Sequence, residues 1–231
     1  MNVHNVVYDP QMDEPTLAEQ LGSTRDAASG RRGDEEKAIR EAAVEAIRQA
    51  LITAPPLGLG DTLPSVRLQN HLGESVDLAG LLDDGPLVIT FYRGGWCPYC
   101  NLALRALQHT LADVVEAGAQ LVAITPELPD NSLTTAQKNA LEFPVLSDPD
   151  NVVGRAFGIV FPIADDIVAM QLAGGRDVAA HNGSEIAEVP LPATYVIDRD
   201  RVVRYAFVDA DHTARAEPAD IVRAVAGLFE N

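Results

Sequence analysis

Residues 86–100, with the sequence PLVITFYRGGWCPYC, carry the clearest indication of the fold. Residues 86–92 are almost continuously apolar, as is typical of a strand buried on both faces of a mostly parallel sheet. A helix is predicted over residues 98–116, because apolar side chains recur there on one face. Cys97 and Cys100 therefore lie at the point where a central strand passes into a helix.

The segments on either side of this stretch alternate between strand and helix, which predicts an α/β domain. Further strands are predicted near residues 121–125, 143–146, 193–198 and 202–208, a hairpin at 66–68 and 75–77, and helices near 151–157 and 218–229. Because residues 193–198 and 202–208 form a hairpin at the end of a sheet built from βαβ units, the sheet should be mixed. The capping box Thr134-x-x-Gln137 predicts that a short helix begins there. Residues 159–189 show no clean period and are treated as an insertion of uncertain structure.

The N-terminal part of the chain differs from the rest. Residues 1–55 are polar and helix-prone, with a glycine-rich break over 22–33 and an amphipathic helical pattern over 35–53. We interpret residues 1–55 as a helical N-terminal extension and residues 56–231 as the main domain. The extension could pair two subunits into a homodimer or cover an edge of the active site.

Composition excludes several classes of function. Apolar residues make up 47% of the 231 residues and charged residues 22%, as in ordinary globular proteins. The net charge of −17 repels nucleic acids and anionic lipid surfaces, so neither is an expected partner. The sequence contains no apolar run of membrane-spanning length and no secretory signal pattern, so we expect a cytoplasmic protein.

The chain has only two cysteines, Cys97 and Cys100, and their placement indicates redox chemistry. Unpaired backbone N–H groups at a helix N-terminus favour a thiolate, so we expect the pKa of Cys97 to be lowered toward neutrality. Cys100, one helical turn further on, can reach the Cys97 sulfur and close a disulfide. Pro98 separates the two positions at the predicted helix start.

Two other uses of these cysteines compete with the redox interpretation. A zinc site would need two further ligands, from carboxylates or from His4, His71, His109, His181 and His212, and none of these histidines forms a pair in sequence. Two thiolates alone also suit a soft metal such as Cu(I). An inert buried pair is the third possibility. We favour redox work, with no cofactor and no metal.

Four segments together resemble a known family. They are residues 60–64 (GDTLP), 91–100 (FYRGGWCPYC), 143–148 (FPVLSD) and 191–198 (LPATYVID). In order and spacing they are similar to the peroxiredoxin-like branch of the alkyl hydroperoxide reductase/thiol-specific antioxidant proteins, over roughly residues 55 to 225.

The resemblance implies a thioredoxin-like fold with Cys97 as the attacking thiol and Cys100 as its resolving partner. It also implies a cis peptide bond before Pro192, packed against the cysteine pair, although cis bonds make up only about 5–6% of X–Pro bonds. Trp96, directly before the first cysteine, likewise resembles the thioredoxin pattern.

The chain departs from that family at the residues that arrange the peroxide. Peroxiredoxins carry a proline and a threonine ahead of the attacking cysteine and an arginine near a later strand. Thr90, Gly94 and Pro192 stand at those places here. Arg93 is the one nearby guanidinium that the sequence suggests as a substitute.

Two further positions bear on proton transfer. Phe91 occupies the place of the buried aspartate that assists the resolving thiol in thioredoxins, so another group or water must take that proton. His212 stands where the family usually has a tyrosine, and we leave it out of the site as an exposed histidine.

These features predict a thiol-dependent peroxidase. Cys97 would attack a hydroperoxide, Cys100 would form the disulfide, and an external dithiol such as a thioredoxin would reduce it. The alternative is thioredoxin-like exchange with a protein or small-molecule disulfide.

Overall fold

Nine β-strands lie within residues 15–230, the part of the chain that the computed structural model describes. They are β1 (Arg67–Asn70), β2 (Ser75–Asp77), β3 (Leu87–Phe91), β4 (Gln120–Thr125), β5 (Val145–Ser147), β6 (Val160–Pro162), β7 (Glu188–Pro190), β8 (Ala193–Ile197) and β9 (Val203–Val208). Seven of them form one sheet in the order β2-β1-β5-β4-β3-β8-β9. Strand β3 pairs in parallel with β4 and antiparallel with β8. The predicted mixed sheet is confirmed.

Strand β3 is buried along its whole length, as its continuous apolar sequence predicts. Val88 packs into the core on one face of the sheet, and Leu87, Ile89 and Phe91 pack into the core on the other. The end of β3 is therefore held from both sides, which fixes where the cysteine-bearing segment begins.

Helices cover both faces of the sheet. They are α1 (Leu17–Ser29), α2 (Asp34–Thr53), α3 (Leu78–Leu81), α4 (Pro98–His109), α5 (Leu111–Glu116), α6 (Pro129–Lys138), α7 (Val152–Ala156), α8 (Asp165–Ala173), α9 (Val178–Asn182) and α10 (Pro218–Ala226). The single helix predicted over 98–116 is two helices, because the backbone leaves helical geometry at Thr110 (φ −95°, ψ 1°). None of these helices is both long and apolar enough to cross a membrane.

The predicted start of the helix after β4 is wrong. Helix α6 begins at Pro129, whose missing N–H and fixed φ suit the first helical position, and not at Thr134. The Thr134 hydroxyl lies inside the helix and donates to the Asp130 carbonyl oxygen at 3.0 Å. The segment interpreted as an insertion, 159–189, contains the antiparallel pair β6 and β7 with α8 and α9 between them.

The two N-terminal helices pack in different ways. In α1, Leu17 and Leu21 are buried in the same core cluster as Leu104 of α4. Helix α2 contacts α8, yet none of its 20 residues is fully buried. Ile47 and Leu51 of α2 pack against the core, so its apolar face is partly buried and not fully enclosed.

Candidate active site

The segment between β3 and α4 can follow its path only because it contains two glycines. Gly94 has φ +147°, and a Cβ there would lie 2.3 Å from Trp96 Nε1. A Cβ on Gly95 would lie 2.0 Å from Thr135 Oγ1. The glycines thus allow close contact with the Trp96 ring and with α6.

Hydrogen bonds with two buried side chains hold the segment between β3 and α4 in place. The Gly95 N–H donates to Glu127 Oε1 at 2.9 Å, and His181 Nε2 lies 2.6 Å from the same oxygen. The Asn101 side chain donates to the carbonyl oxygens of Gly95 at 2.8 Å and Cys97 at 3.0 Å. Because Glu127 and Asn101 are both buried, these bonds are protected from competing water.

The two cysteines occupy different places at the start of α4. Cys97 is the N-cap residue, Pro98 follows at the first helical position, and Cys100 lies within the first turn. Both thiols are free and buried, with relative exposures of 2% for Cys97 and 0% for Cys100. Cys97 lines a cavity of about 780 Å³, whereas Cys100 lies behind it. A small molecule in the cavity would therefore meet Cys97 first.

An arginine far along the chain contacts the inner thiol. Arg215 Nη2 lies 3.3 Å from Cys100 Sγ. Burial alone would raise the pKa of Cys100, but a hydrogen bond from Cys97, the charge of Arg215 and the backbone N–H and charge of Arg93 lower it to about 5. The thiol pair therefore carries one negative charge at neutral pH.

The pKa of Cys97 differs from the sequence-based expectation. Its hydrogen bond to Cys100 and its burial raise the pKa of Cys97 well above the usual value, and the charges of Arg93 and Arg215 do not compensate. The expectation of a lowered pKa at Cys97 was wrong for the resting pair, because the guanidinium of Arg215 contacts the other sulfur. The raised pKa of Cys97, the lowered pKa of Cys100 and the contact with Arg215 all favour a thiol at Cys97 and a thiolate at Cys100.

Two arginines stack on the tryptophan beside Cys97. The guanidinium carbon of Arg93 is 5.2 Å from the Trp96 ring centroid, and that of Arg176 is 5.3 Å from it. Both distances are within the range of cation–π attraction. Arg93, Trp96 and Arg176 also line the same cavity as Cys97.

His212 belongs to this cavity, contrary to the sequence-based interpretation of an exposed histidine. It is half-buried, lines the cavity, and lies edge-to-face with Tyr99 at 6.0 Å between ring centroids. Burial, followed by the positive charges of Arg93 and Arg215, lowers the pKa of His212 well below its usual value. The imidazole is therefore neutral at physiological pH.

Metal ligands do not gather around the cysteines. Among residues 15–230, no group of three or more His, Cys, Asp or Glu side chains converges on a common point. His4, named above as a possible ligand, lies outside the described residues.

The sequence of the main domain matches a known family. The AhpC/TSA family matches residues 59–206, well over half of the chain. The chain belongs to the AhpC/TSA family.

Curated relatives of this AhpC/TSA chain are named as peroxiredoxins. "Peroxiredoxin Bcp" of Escherichia coli is 31% identical over 104 residues, which are 45% of this chain and 66% of the relative. A putative peroxiredoxin of Mycobacterium tuberculosis is 32% identical over 99 residues, 43% of this chain and 62% of the relative. The chain thus spans slightly less than two thirds of the length of these relatives.

Solved structures show the same fold. Peroxidoxin BcpB from Mycobacterium tuberculosis has a TM-score of 0.59 at 22% identity, covering 74% of this chain and 98% of that one. Peroxiredoxin Q from Xanthomonas campestris has a TM-score of 0.52 at 18% identity, covering 71% and 89%. The thioredoxin-like fold expected from the AhpC/TSA resemblance is confirmed.

The cis bond expected before Pro192 is absent. No peptide bond within residues 15–230 is cis. The chain runs from β7 into β8 without a tight turn, and the Leu191 N–H donates to the Ile159 carbonyl oxygen at 2.7 Å, so nothing offsets the ordinary preference for trans. Pro190 and Leu191 line the cavity beside Cys97, whereas Pro192 does not.

Sequence reasoning missed three side chains of this AhpC/TSA site. Arg215 supplies a guanidinium at the thiols, so Arg93 is not the only candidate there. Glu127 and Asn101 hold the glycine segment. Asn101, next to the second cysteine, could have been suspected from its position, but only tertiary structure brings Arg215 and Glu127 to the cysteines.

Proposed function

We propose that this protein reduces hydroperoxides through Cys97, with Cys100 as the resolving thiol and an external dithiol as the reductant. The observation that carries the proposal is the asymmetry of the buried pair. Cys97 lines the cavity and gives a hydrogen bond to Cys100, whose sulfur contacts Arg215. Membership of the AhpC/TSA family and relatives named as peroxiredoxins support the same chemistry.

The first step starts from a neutral Cys97 thiol and a Cys100 thiolate. Cys97 passes its proton to Cys100 along their hydrogen bond and attacks the distal oxygen of the hydroperoxide. The O–O bond breaks, and a bond forms between that oxygen and sulfur. The leaving alkoxide takes the proton from Cys100, so an alcohol, a Cys97 sulfenic acid and a Cys100 thiolate result. Because Cys100 is already a thiolate when it attacks the sulfenic acid, no carboxylate at the position of Phe91 is needed to take its proton.

The second step uses the thiolate that the first step regenerates. Cys100 attacks the sulfur of the Cys97 sulfenic acid, the S–O bond breaks, and hydroxide leaves as the disulfide forms. Arg215 stabilises the Cys100 thiolate in both steps by charge and hydrogen bonding. Attack of an external dithiol on the disulfide then returns both cysteines to the starting state.

We assign the reductant to the class of small dithiol proteins such as thioredoxin, and the reaction to the cytoplasm, where free thiols persist. A homodimer, one of the two roles that the sequence suggests for the N-terminal helices, stays a prediction. Sedimentation equilibrium would test it, with a single species at twice 24.7 kDa expected.

Thiol–disulfide exchange is the second candidate, and one observation favours it. Thr90, Gly94 and Pro192 occupy the places of the peroxide-arranging residues of the family. The burial of Cys97 does not separate the two functions, because a thioredoxin that reduces the Cys97–Cys100 disulfide would also have to reach a sulfur that is 2% exposed.

The test is to identify the oxidised products by intact mass spectrometry. We expect the reduced protein to lose the mass of two hydrogen atoms per equivalent of tert-butyl hydroperoxide as the disulfide forms. Cys100→Ser should stop at a sulfenic acid that dimedone traps on Cys97, and Cys97→Ser should remain unmodified. Rapid reduction of a disulfide substrate without any oxidation by hydroperoxide would favour exchange instead.

A further inference from the structure

The cavity in front of Cys97 is built partly by elements outside the matched AhpC/TSA region. Helix α2, residues 34–53, precedes the match and contributes Ala43, Val44 and Ile47 to one wall. Apolar residues of the 159–189 segment, including Phe161 and Ile167, form the facing wall. The cavity volume of about 780 Å³ lies within the range of small-molecule sites.

The apolar face of α2 is incompletely covered by protein. None of the 20 residues of α2 is fully buried, although the helix contacts α8 and packs Ile47 and Leu51 partly against the core. Covering apolar area contributes about 25 cal/mol per Å², so an apolar chain that filled this space would be stabilised by both walls. The cavity therefore suits a ligand with an extended apolar part.

The charges in the cavity are all of one sign. Its lining contains no aspartate or glutamate and five arginines, whereas the whole chain has 34 acidic and 17 basic residues. The five are Arg31, Arg32, Arg40, Arg93 and Arg176. Arg32 and Arg40 share the single carboxylate of Glu36, at 3.1 Å and 2.8 Å from its Oε1 atom. The pair thus retains a net positive charge.

The positive charges of the other three cavity arginines are balanced even less by nearby carboxylates. Within residues 15–230, Arg31, Arg93 and Arg176 form no ion pair with a carboxylate, and the buried Nε of Arg93 has no hydrogen-bond partner. The Cys100 thiolate neutralises one positive charge of this group at most. Gathering like charges in a half-buried site is unfavourable unless an anion occupies it.

We infer that the cavity binds an amphipathic anion, an apolar chain with a carboxylate head group, and that α2 and the 159–189 segment provide its recognition. The head group lies among the five cavity arginines, and the chain runs along the apolar face of α2. This inference rests on the proposed function where it names the substrate: a hydroperoxide carried on such a chain. The binding itself does not depend on the reaction.

The binding arm of the test uses a ligand that cannot react. Dodecanoate is titrated into the reduced protein by calorimetry, with dodecanol and hexanoate as matched probes. We expect dodecanoate to bind at least about tenfold more tightly than dodecanol, and binding to tighten by about fourfold for each CH₂ between the two acids. Equal affinity for the acid and the alcohol would overturn the assignment of the anion.

Variants test the residues. Arg40→Gln and Arg176→Gln should each weaken dodecanoate binding by about tenfold and leave dodecanol unchanged. Arg48→Gln is the matched control, because Arg48 lies on the same helix, pairs with Glu45 and does not line the cavity. The Arg48→Gln variant should bind dodecanoate with the affinity of the wild type. Unchanged binding in both cavity variants would overturn the proposal.

An activity arm separates this inference from the proposed function. The protein should reduce a long-chain hydroperoxy acid with a kcat/KM at least about tenfold above that for its methyl ester. If dodecanoate binds as expected but no hydroperoxide is reduced, the proposed function fails and the binding site stands. If both hydroperoxides are reduced at equal rates and the arginine variants have no effect, the binding site is wrong and the peroxidase stands.

Discussion

At the scale of single residues, the central feature is that two cysteines one helical turn apart differ in accessibility and in charge. Cys97 lines the cavity and holds the proton, and Cys100 holds the charge next to Arg215. The pair can therefore deliver a thiolate at Cys97 without exposing a permanent charge to the cavity. This arrangement depends on one guanidinium that lies 115 residues away in sequence.

The charge of Arg215 should appear in the pH dependence of oxidation. Since the pKa of Cys100 is lowered to about 5, the thiolate is present above that pH and is lost as pH falls through it. The wild-type rate with hydroperoxide should be flat from about pH 6 to 8 and fall near pH 5. In Arg215→Gln the fall should move to higher pH, with a rate at pH 6 reduced by about tenfold.

Two further variants separate charge from structure in that experiment. Arg215→Lys keeps the positive charge and should retain a profile close to the wild type. Arg204→Gln removes a surface guanidinium that pairs with Asp198 and should leave the pH dependence of the oxidation rate unchanged. A wild-type profile in Arg215→Gln would refute the role assigned to this contact.

The closest backbone approach in the site gives a stability prediction. A Cβ at residue 95 would meet Thr135 Oγ1 at 2.0 Å, so Gly95→Ala should lower the free energy of unfolding by about 1–3 kcal/mol. Thr135→Ala removes that hydroxyl. In the Thr135→Ala background, Gly95→Ala should therefore lower the free energy of unfolding less than in the wild type, by about 1 kcal/mol or more. Chemical denaturation of the four proteins measures this cycle. An equal cost in both backgrounds would contradict the assigned contact.

Residue-level prediction from sequence succeeded where the signal is local. The position of Cys97 and Cys100 at a strand-to-helix junction follows from apolar periodicity and from the proline between them. The cis bond expected at Pro192 came from resemblance alone and was wrong, since the bond is trans. The contact of Arg215 with Cys100 requires knowledge of how β9 and the following segment return to α4.

At the scale of elements, α1 belongs to the core of the domain. Leu17 and Leu21 are buried, at 5% and 6% relative exposure, in the cluster that contains both cysteines. The capping box of Thr16 and Glu19 fixes where the helix begins. Helix α1 thus supports the helix that carries the thiols.

Truncating α1 side chains should therefore destabilise the whole domain. Leu21→Ala should lower the free energy of unfolding by about 2–4 kcal/mol, because it leaves a cavity against α4. Ile52→Ala, at a position 71% exposed on α2, should change it by less than about 0.5 kcal/mol. Equal effects of the two substitutions in thermal denaturation would show that α1 is not part of the cooperative unit.

The elements were easier to predict than their ends. The strands with long apolar runs, β3 and β4, were found from sequence because burial on both faces leaves a continuous signal. The start of α6 was predicted wrongly because two signals compete there, the capping box at Thr134 and the proline at residue 129. The helix begins at Pro129, which takes the first helical position. The 159–189 segment was left open because its short helices and strands each bury too few side chains to impose a period.

At the scale of the whole molecule, the distribution of charge contrasts with the site. The net charge is −17, yet five arginines and no acidic residue line the cavity before Cys97. Of these five, Arg93 helps to lower the pKa of Cys100, while the acidic remainder of the surface repels nucleic acid and anionic membranes. We therefore propose that the specificity of the protein lies inside the cavity and not on its surface.

The most direct test of the central claim, that Cys97 attacks a hydroperoxide, is a stopped-flow measurement of the reduced protein with hydrogen peroxide and tert-butyl hydroperoxide. Trp96, the only tryptophan and the residue next to Cys97, reports the reaction by its fluorescence. We predict oxidation faster by orders of magnitude than that of a free thiolate, absent in Cys97→Ser and reversed by a dithiol. A rate equal to that of a free thiolate, together with rapid reduction of a disulfide substrate, would contradict the account.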